Sequence, residues 1–186
     1  MRSCDRAAPV HTIHAEMQMP ETRTLVVYYT RSGHSRSVAE EIARSVGGAD
    51  VEEIRDTADR RGLRGYWRSF RDGMSKRMTT LATPGRDVSG YDLVIVGGPV
   101  WVGAPSSPVR TWLRAHAGEL RAVAFFLTHG GSARDKVLAA LARVSGRSPV
   151  AVLSVRAREL GTPEASAMIS AFAADIRRAM SSATLA

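Results

Sequence analysis

Residues 25–46 read LVVYYTRSGHSRSVAEEIARSV, and their periodicity changes part-way along. Leu25 to Thr30 is a short, continuously apolar run, rich in β-branched and aromatic side chains. That pattern suits a strand buried on both faces. Val38, Ile42 and Val46 then recur every four residues, which is one stripe of a helix. Ser37 and Glu40 have capping-box spacing, and Gly47-Gly48 supplies the helix stop. Strand, polar loop and helix form one β-α unit.

The unit recurs along the chain. Leu93 to Val96 (LVIV), Val123 to Leu127 (VAFFL) and Val150 to Val155 (VAVLSV) are further buried-strand runs. Ala49 to Ile54 (ADVEEI) alternates and reads as an edge strand. Helical stripes follow: Leu63, Tyr66, Trp67, Phe70 and Met74; Val109, Trp112, Leu113 and His116; Val137, Leu141 and Val144, with Ser132 and Asp135 as a cap. The last comprises Met168, Ile169, Phe172 and Ile176, behind a Thr162-Pro163 cap. Five β-α units imply an α/β fold with parallel strands, right-handed crossovers and helices on both faces. With no internal repeat and no low-complexity linker, residues 23–181 read as one domain. Residues 1–22 read as a loose tail and 182–186 as a short C-terminal tail.

Composition narrows the function. Of 186 residues, 44% are hydrophobic and 24% charged, the balance of a soluble globular protein. No run approaches the roughly 20 apolar residues that span a bilayer. The N-terminal segment lacks the apolar core of a secretory signal, and Met17 and Met19 are alternative starts. The single cysteine, Cys4, allows neither an intrachain disulfide nor a cysteine metal site, and fits a reducing cytoplasm. The five histidines, His11 and His14 included, show no helical ligand spacing, so no metal site is expected. The net charge of +8 favours anionic partners. The arginines are spread along the chain rather than gathered in an arm, so nucleic acid is not expected. No nucleophile elbow or Ser/His/Asp order points to hydrolysis, and no catalytic side chain is assigned.

In an open α/β sheet, ligands bind beyond the carboxyl ends of the strands, so the loops there carry the chemistry. The first is Thr30-Arg31-Ser32-Gly33-His34-Ser35. Its hydroxyls and glycine precede a helix N-terminus that offers N–H groups and partial positive charge, a setting for phosphate. It is neither a P-loop nor a dinucleotide turn; the plain reading is a polar loop with a capping serine. The second is Gly97-Gly98-Pro99-Val100-Trp101-Val102-Gly103-Ala104-Pro105. Its Trp is suited to stacking on a flat ring, or else folds back as an apolar plug. The third, Thr128-His129-Gly130-Gly131-Ser132, offers bare backbone for close approach, or is a tight turn. Together the loops describe a phosphorylated planar heterocycle.

These residues resemble the flavodoxin family. T-R-S-G-H-S is similar to the family's phosphate loop, and G-G-P-V-W-V-G-A-P-S-S-P-V-R to the loop that covers one side of the flavin. T-H-G-G-S is similar to the loop that meets the other side. The resemblance spans about Thr22 to Met180. It implies a flavodoxin-like three-layer sandwich with a five-stranded parallel sheet in the order 2-1-3-4-5, and non-covalent FMN. Carried over, Thr30, Ser32, Gly33, His34 and Ser35 hold the phosphate with Arg31 at the rim. Pro99, Val100, Trp101, Val102 and Gly103 meet the ribityl chain and ring. Thr128, His129, Gly130 and Gly131 line the other edge. His34 stands where Asn is common, the third loop lacks an aromatic, and the pI of about 10.7 departs from acidic flavodoxins.

The resemblance implies electron transfer, as a carrier or as an NAD(P)H-dependent reductase of a quinone or similar acceptor. The partner is then a redox protein, or NAD(P)H plus a small acceptor. The alternative is a module that has kept the fold and lost the flavin. Tyr66 and Trp67 beside Arg64, Arg68 and Arg71 form a core stripe with a basic face, or a docking surface for an acidic protein.

Overall fold

The computed structural model describes residues 22–56, 81, 85–131 and 134–184. Its first elements are β1 (Thr24–Tyr28), α1 (His34–Ser45), β2 (Asp50–Glu53) and β3 (Leu93–Trp101). A two-residue strand β4 (Ala104–Pro105) and α2 (Ser107–His116) follow, then β5 (Ala122–His129), α3 (Arg134–Ser145), β6 (Val152–Arg156) and α4 (Pro163–Thr184). The long strands lie in the order β2-β1-β3-β5-β6, and all of their pairings are parallel. This is the expected 2-1-3-4-5 arrangement, with β4 added as a short antiparallel arm on β3. β2 is an edge strand, as its alternation implies.

Continuously apolar strands let both sheet faces be covered. Val26, Leu93, Ile95, Ala124, Phe126 and Leu153 bury one face with Val38, Ile42, Ile169, Phe172 and Ile176 from α1 and α4. Leu25, Val94, Val96, Val123, Phe125 and Leu127 bury the other with Val109, Trp112, Leu113, Val137 and Leu141 from α2 and α3. Fully burying such a side chain contributes about 1.5–3 kcal/mol, so each stripe fixes its helix to one face.

Several expectations change. The strand begun by LVIV continues through Gly97, Gly98, Pro99 and Val100 to Trp101, so most of the second loop is strand. Gly97 allows this, because a Cβ there would come within 2.2 Å of the Phe126 ring on β5. β5 likewise runs on through Thr128 and His129, and β6 begins at Val152 rather than Val150. The N-cap of α1 is Gly33, not Ser37, because the left-handed Gly33 turns the chain into the helix four residues before a Ser37–Glu40 box would. Ser37 instead donates through N–H and Oγ to the Gly33 carbonyl at 3.1 and 3.4 Å. Met168 is 38% exposed and leaves the fifth stripe to Ile169, Phe172 and Ile176. His116 stacks on Trp112 at 4.3 Å.

Gly47 and Gly48 end α1 with φ of 102° and 96°. Thr162 caps α4 through its hydroxyl, which accepts from the Ala165 N–H. α4 itself continues to Thr184. The stripe from Leu63 to Met74, the basic face of Arg64, Arg68 and Arg71, Ser132 and the N-terminal Cys4, His11 and His14 lie outside the described residues.

Candidate functional site

The carboxyl ends of β1, β3, β5 and β6 meet around a cavity of about 290 Å³. Its lining includes Thr30, Arg31, Ser32, His34 and Ser35 from the first loop and Pro99, Val100, Trp101 and Val102 from the second. Thr128, His129 and Gly130 from the third, with Ala157, complete it. The structure thus brings together residues of three segments far apart in the chain. Gly33, Gly103 and Gly131 do not line the cavity, although each belongs to a loop that does. Ala157 was missed. It follows β6 directly, so inspecting the end of every strand would have found it.

The first loop is built to present donors. Gly33 takes φ of 91°, a conformation that L side chains rarely adopt, and a Cβ there would meet no atom within 4 Å. The glycine therefore serves the turn rather than relieving crowding. Its N–H donates to Thr30 Oγ1 at 3.0 Å, which curls the loop over the helix end. No side chain caps α1 and its first turn holds no acidic residue, so the positive end of the helix is left for a ligand. Ser32 Oγ lies 3.4 Å from His34 Nδ1. Among the described residues, the cavity lining contains Arg31 and His34 but no carboxylate. Hydroxyls, helix N–H groups and the arginine suit a dianionic phosphate.

Behind the loop, Tyr28 ties α1 to the sheet. Arg36 Nε donates to the Tyr28 hydroxyl at 3.1 Å, that hydroxyl reaches Glu53 Oε2 at 3.3 Å, and Arg36 pairs with Glu53. Burial pushes the Tyr28 phenol above its ordinary range, with the Arg36 hydrogen bond opposing. The guanidinium of Arg36 is held charged mainly by its hydrogen bond to Glu53.

The second and third segments form the flanks. Of the two readings of Trp101, an exposed aromatic or an apolar plug folded back, its burial fits the second. It is only 9% exposed and meets Tyr29 edge-to-face at 5.7 Å between centroids. Tyr29 supplies the apolar partner that the sequence did not reveal, and Trp101 closes the cavity wall from within the core. On the other flank, Cβ atoms at Gly130 and Gly131 would meet nothing within 4 Å. These glycines leave open space rather than permit a close contact with the rest of the chain. His129 is held by Ser154 Oγ at 2.9 Å from Nε2, while its Nδ1 is buried without a partner.

A sequence model of the flavodoxin family, described as Flavodoxin, matches residues 23–153. The chain belongs to the flavodoxin family. Solved structures share the fold. A flavoprotein from Lactobacillus acidophilus in complex with FMN aligns with a TM-score of 0.63 and 23% identity, over 72% of this chain and 93% of that one. Oxidised flavodoxin 2 from Bacillus cereus aligns at 0.56 and 16%, over 84% and 98%. Rubredoxin oxygen:oxidoreductase from Desulfovibrio gigas aligns at 0.61 and 19%, over 91% of this chain but 38% of that larger one. No curated protein sequence matches. In this flavodoxin-family chain the cavity occupies the sheet edge at which α/β folds bind ligands. Among the described residues no helix is long and apolar enough to cross a membrane.

Proposed function

We propose that this chain binds FMN in the cavity at the carboxyl edge of the sheet and acts as an NAD(P)H-dependent reductase of a quinone or similar acceptor. The observation that carries the phosphate end is the first loop: Thr30, Ser32, Arg31 and an uncapped α1 N-terminus beside a lining without carboxylates. The observation that favours a reductase is the asymmetry of the flanks. One carries the Trp101 wall; the other carries Thr128, His129, Gly130 and Ala157, with open space beyond Gly130. On this reading the nicotinamide approaches from that side.

When bound, FMN supplies the hydride and electron chemistry. The chain binds and orients it. Thr30, Ser32, His34 and Ser35 hold the phosphate on the turn that Gly33 makes, Pro99 to Val102 flank the ribityl chain and ring with Gly103 completing their turn, and Thr128, His129 and Gly130 line the open edge, with Gly131 next in the chain. A cytoplasmic setting fits the single cysteine.

Purified protein should be yellow, and apoprotein should quench FMN fluorescence saturably at micromolar concentration. Absence of binding would leave the module without flavin as the better reading. With FMN bound, oxidation of NADPH or NADH in the presence of a benzoquinone is the expected activity. FMN binding without that oxidation would instead support a carrier, which exchanges electrons with a redox protein.

A further inference from the structure

Val102 has φ of 50°, the only positive φ at a non-glycine position among the described residues. It and Gly103, at 67°, form the two-residue turn between Trp101 and Ala104, which are paired across β3 and β4. Positive φ at both turn positions is the primed hairpin geometry, normally filled by Asn, Asp or Gly. A β-branched residue there presses its Cβ branches on the backbone and is strained. Burial does not compensate, because Val102 is 52% exposed. Val102 nonetheless belongs to the cavity lining, with its chain neighbour Trp101 and with Val100. A strained, exposed, apolar residue at the mouth of a cavity calls for an explanation outside the fold's own stability.

We propose that Val102 is a cofactor-retention residue: the hairpin holds its isopropyl group at the cavity mouth to cover the edge of bound FMN from water, and the fold gives up stability to keep it there. This rests on the FMN reading above. Asparagine adopts left-handed φ readily and would fit the same turn without an apolar group. Isoleucine would keep both the strain and the cover.

The experiment compares wild type, Val102→Asn and Val102→Ile. Apoprotein melting is expected to rise by about 2–4 °C in Val102→Asn, the shift for relief of a strain of this kind in a domain of this size. The FMN dissociation constant is expected to rise about three- to tenfold in Val102→Asn. That is the loss expected when roughly 30–60 Å² of apolar surface returns to water. Val102→Ile should match wild type in both. If wild type binds FMN and Val102→Asn binds it equally tightly, the covering role is overturned. An unchanged or lowered apoprotein melting point in Val102→Asn overturns the trade of stability for retention. Failure of wild type to bind FMN overturns the functional reading itself, and the proposal with it.

Discussion

Ser35 and Thr128, 93 residues apart in the chain, share a hydroxyl–hydroxyl hydrogen bond of 2.7 Å. Both are buried, at 1% and 4% exposure. Ser35 lies in the first turn of α1 and Thr128 near the end of β5. Their bond therefore fixes the donor-rich first loop against the glycine-bearing third one. The pair thus ties the first loop to the flank that the third segment forms.

Thr128→Val keeps the shape and removes the hydroxyl, leaving Ser35 Oγ buried without its partner. A loss of about 1–3 kcal/mol is expected in urea unfolding of the apoprotein. Ser35→Ala combined with Thr128→Val should recover much of it, because both polar groups are then gone. Strict additivity of the two single losses would show that the bond does not couple the loops.

Gly33→Asp should weaken FMN binding more than riboflavin binding. If this loop holds the phosphate as proposed, the carboxylate adds negative charge beside it in a cavity whose described lining has none, and at φ of 91° the new side chain strains the turn. The strain falls on both ligands, whereas the charge falls on the phosphate alone. Parallel fluorescence titrations with the two flavins separate the effects, and equal losses would move the phosphate away from this loop.

Trp101→Ala should affect both folding and cofactor. Its indole packs on Tyr29 inside the core, so truncation should lower stability by about 3–5 kcal/mol. If the same ring also borders FMN, the dissociation constant should rise by about one to two powers of ten, by analogy with stacking on nucleobases. Trp101→Phe should restore most of the folding and part of the binding. Denaturation of the apoprotein and flavin titration of the folded variants read the two effects. Unchanged affinity in folded Trp101→Ala would confine the side chain to the core.

Alkaline pH should destabilise the protein through Tyr28. Its pKa is raised by burial, so the fold favours the protonated phenol. Below about pH 10, the ordinary tyrosine value, both folded and unfolded chains are protonated there and this contribution is intact. Above it the unfolded chain ionises first, and stability falls as pH climbs towards the folded-state pKa. Tyr28→Phe should flatten that fall. Tyr91, also raised mainly by burial, leaves part of the slope in place. An identical pH profile for wild type and Tyr28→Phe between pH 9 and about pH 11 would show that Tyr28 ionises alike in both states.

The sequence by itself determined the parallel α/β sheet, the helix stripes that fall among the described residues and the loops that border the cavity. Leu25 to Tyr28 and Phe125 to Leu127 announce buried strands, and Val38 with Ile42 announces a helix, because such periodicities are relations between near neighbours. Thr30, Ser32 and Gly33 were legible for the same reason: turn and helix-end chemistry is local. Only the tertiary structure decided how the second loop is used. β3 runs on to Trp101 because Gly97 faces Phe126, and Trp101 turns inward because Tyr29 waits there; both partners are distant in sequence. The Ser35–Thr128 bond and the place of Ala157 likewise depend on which strand ends are brought together. The strain at Val102 depends on a backbone angle imposed by the Trp101–Ala104 pairing. A hydrophobic pattern says that a side chain needs a covered surface, whereas the identity of that surface is set by packing among elements far apart in the chain.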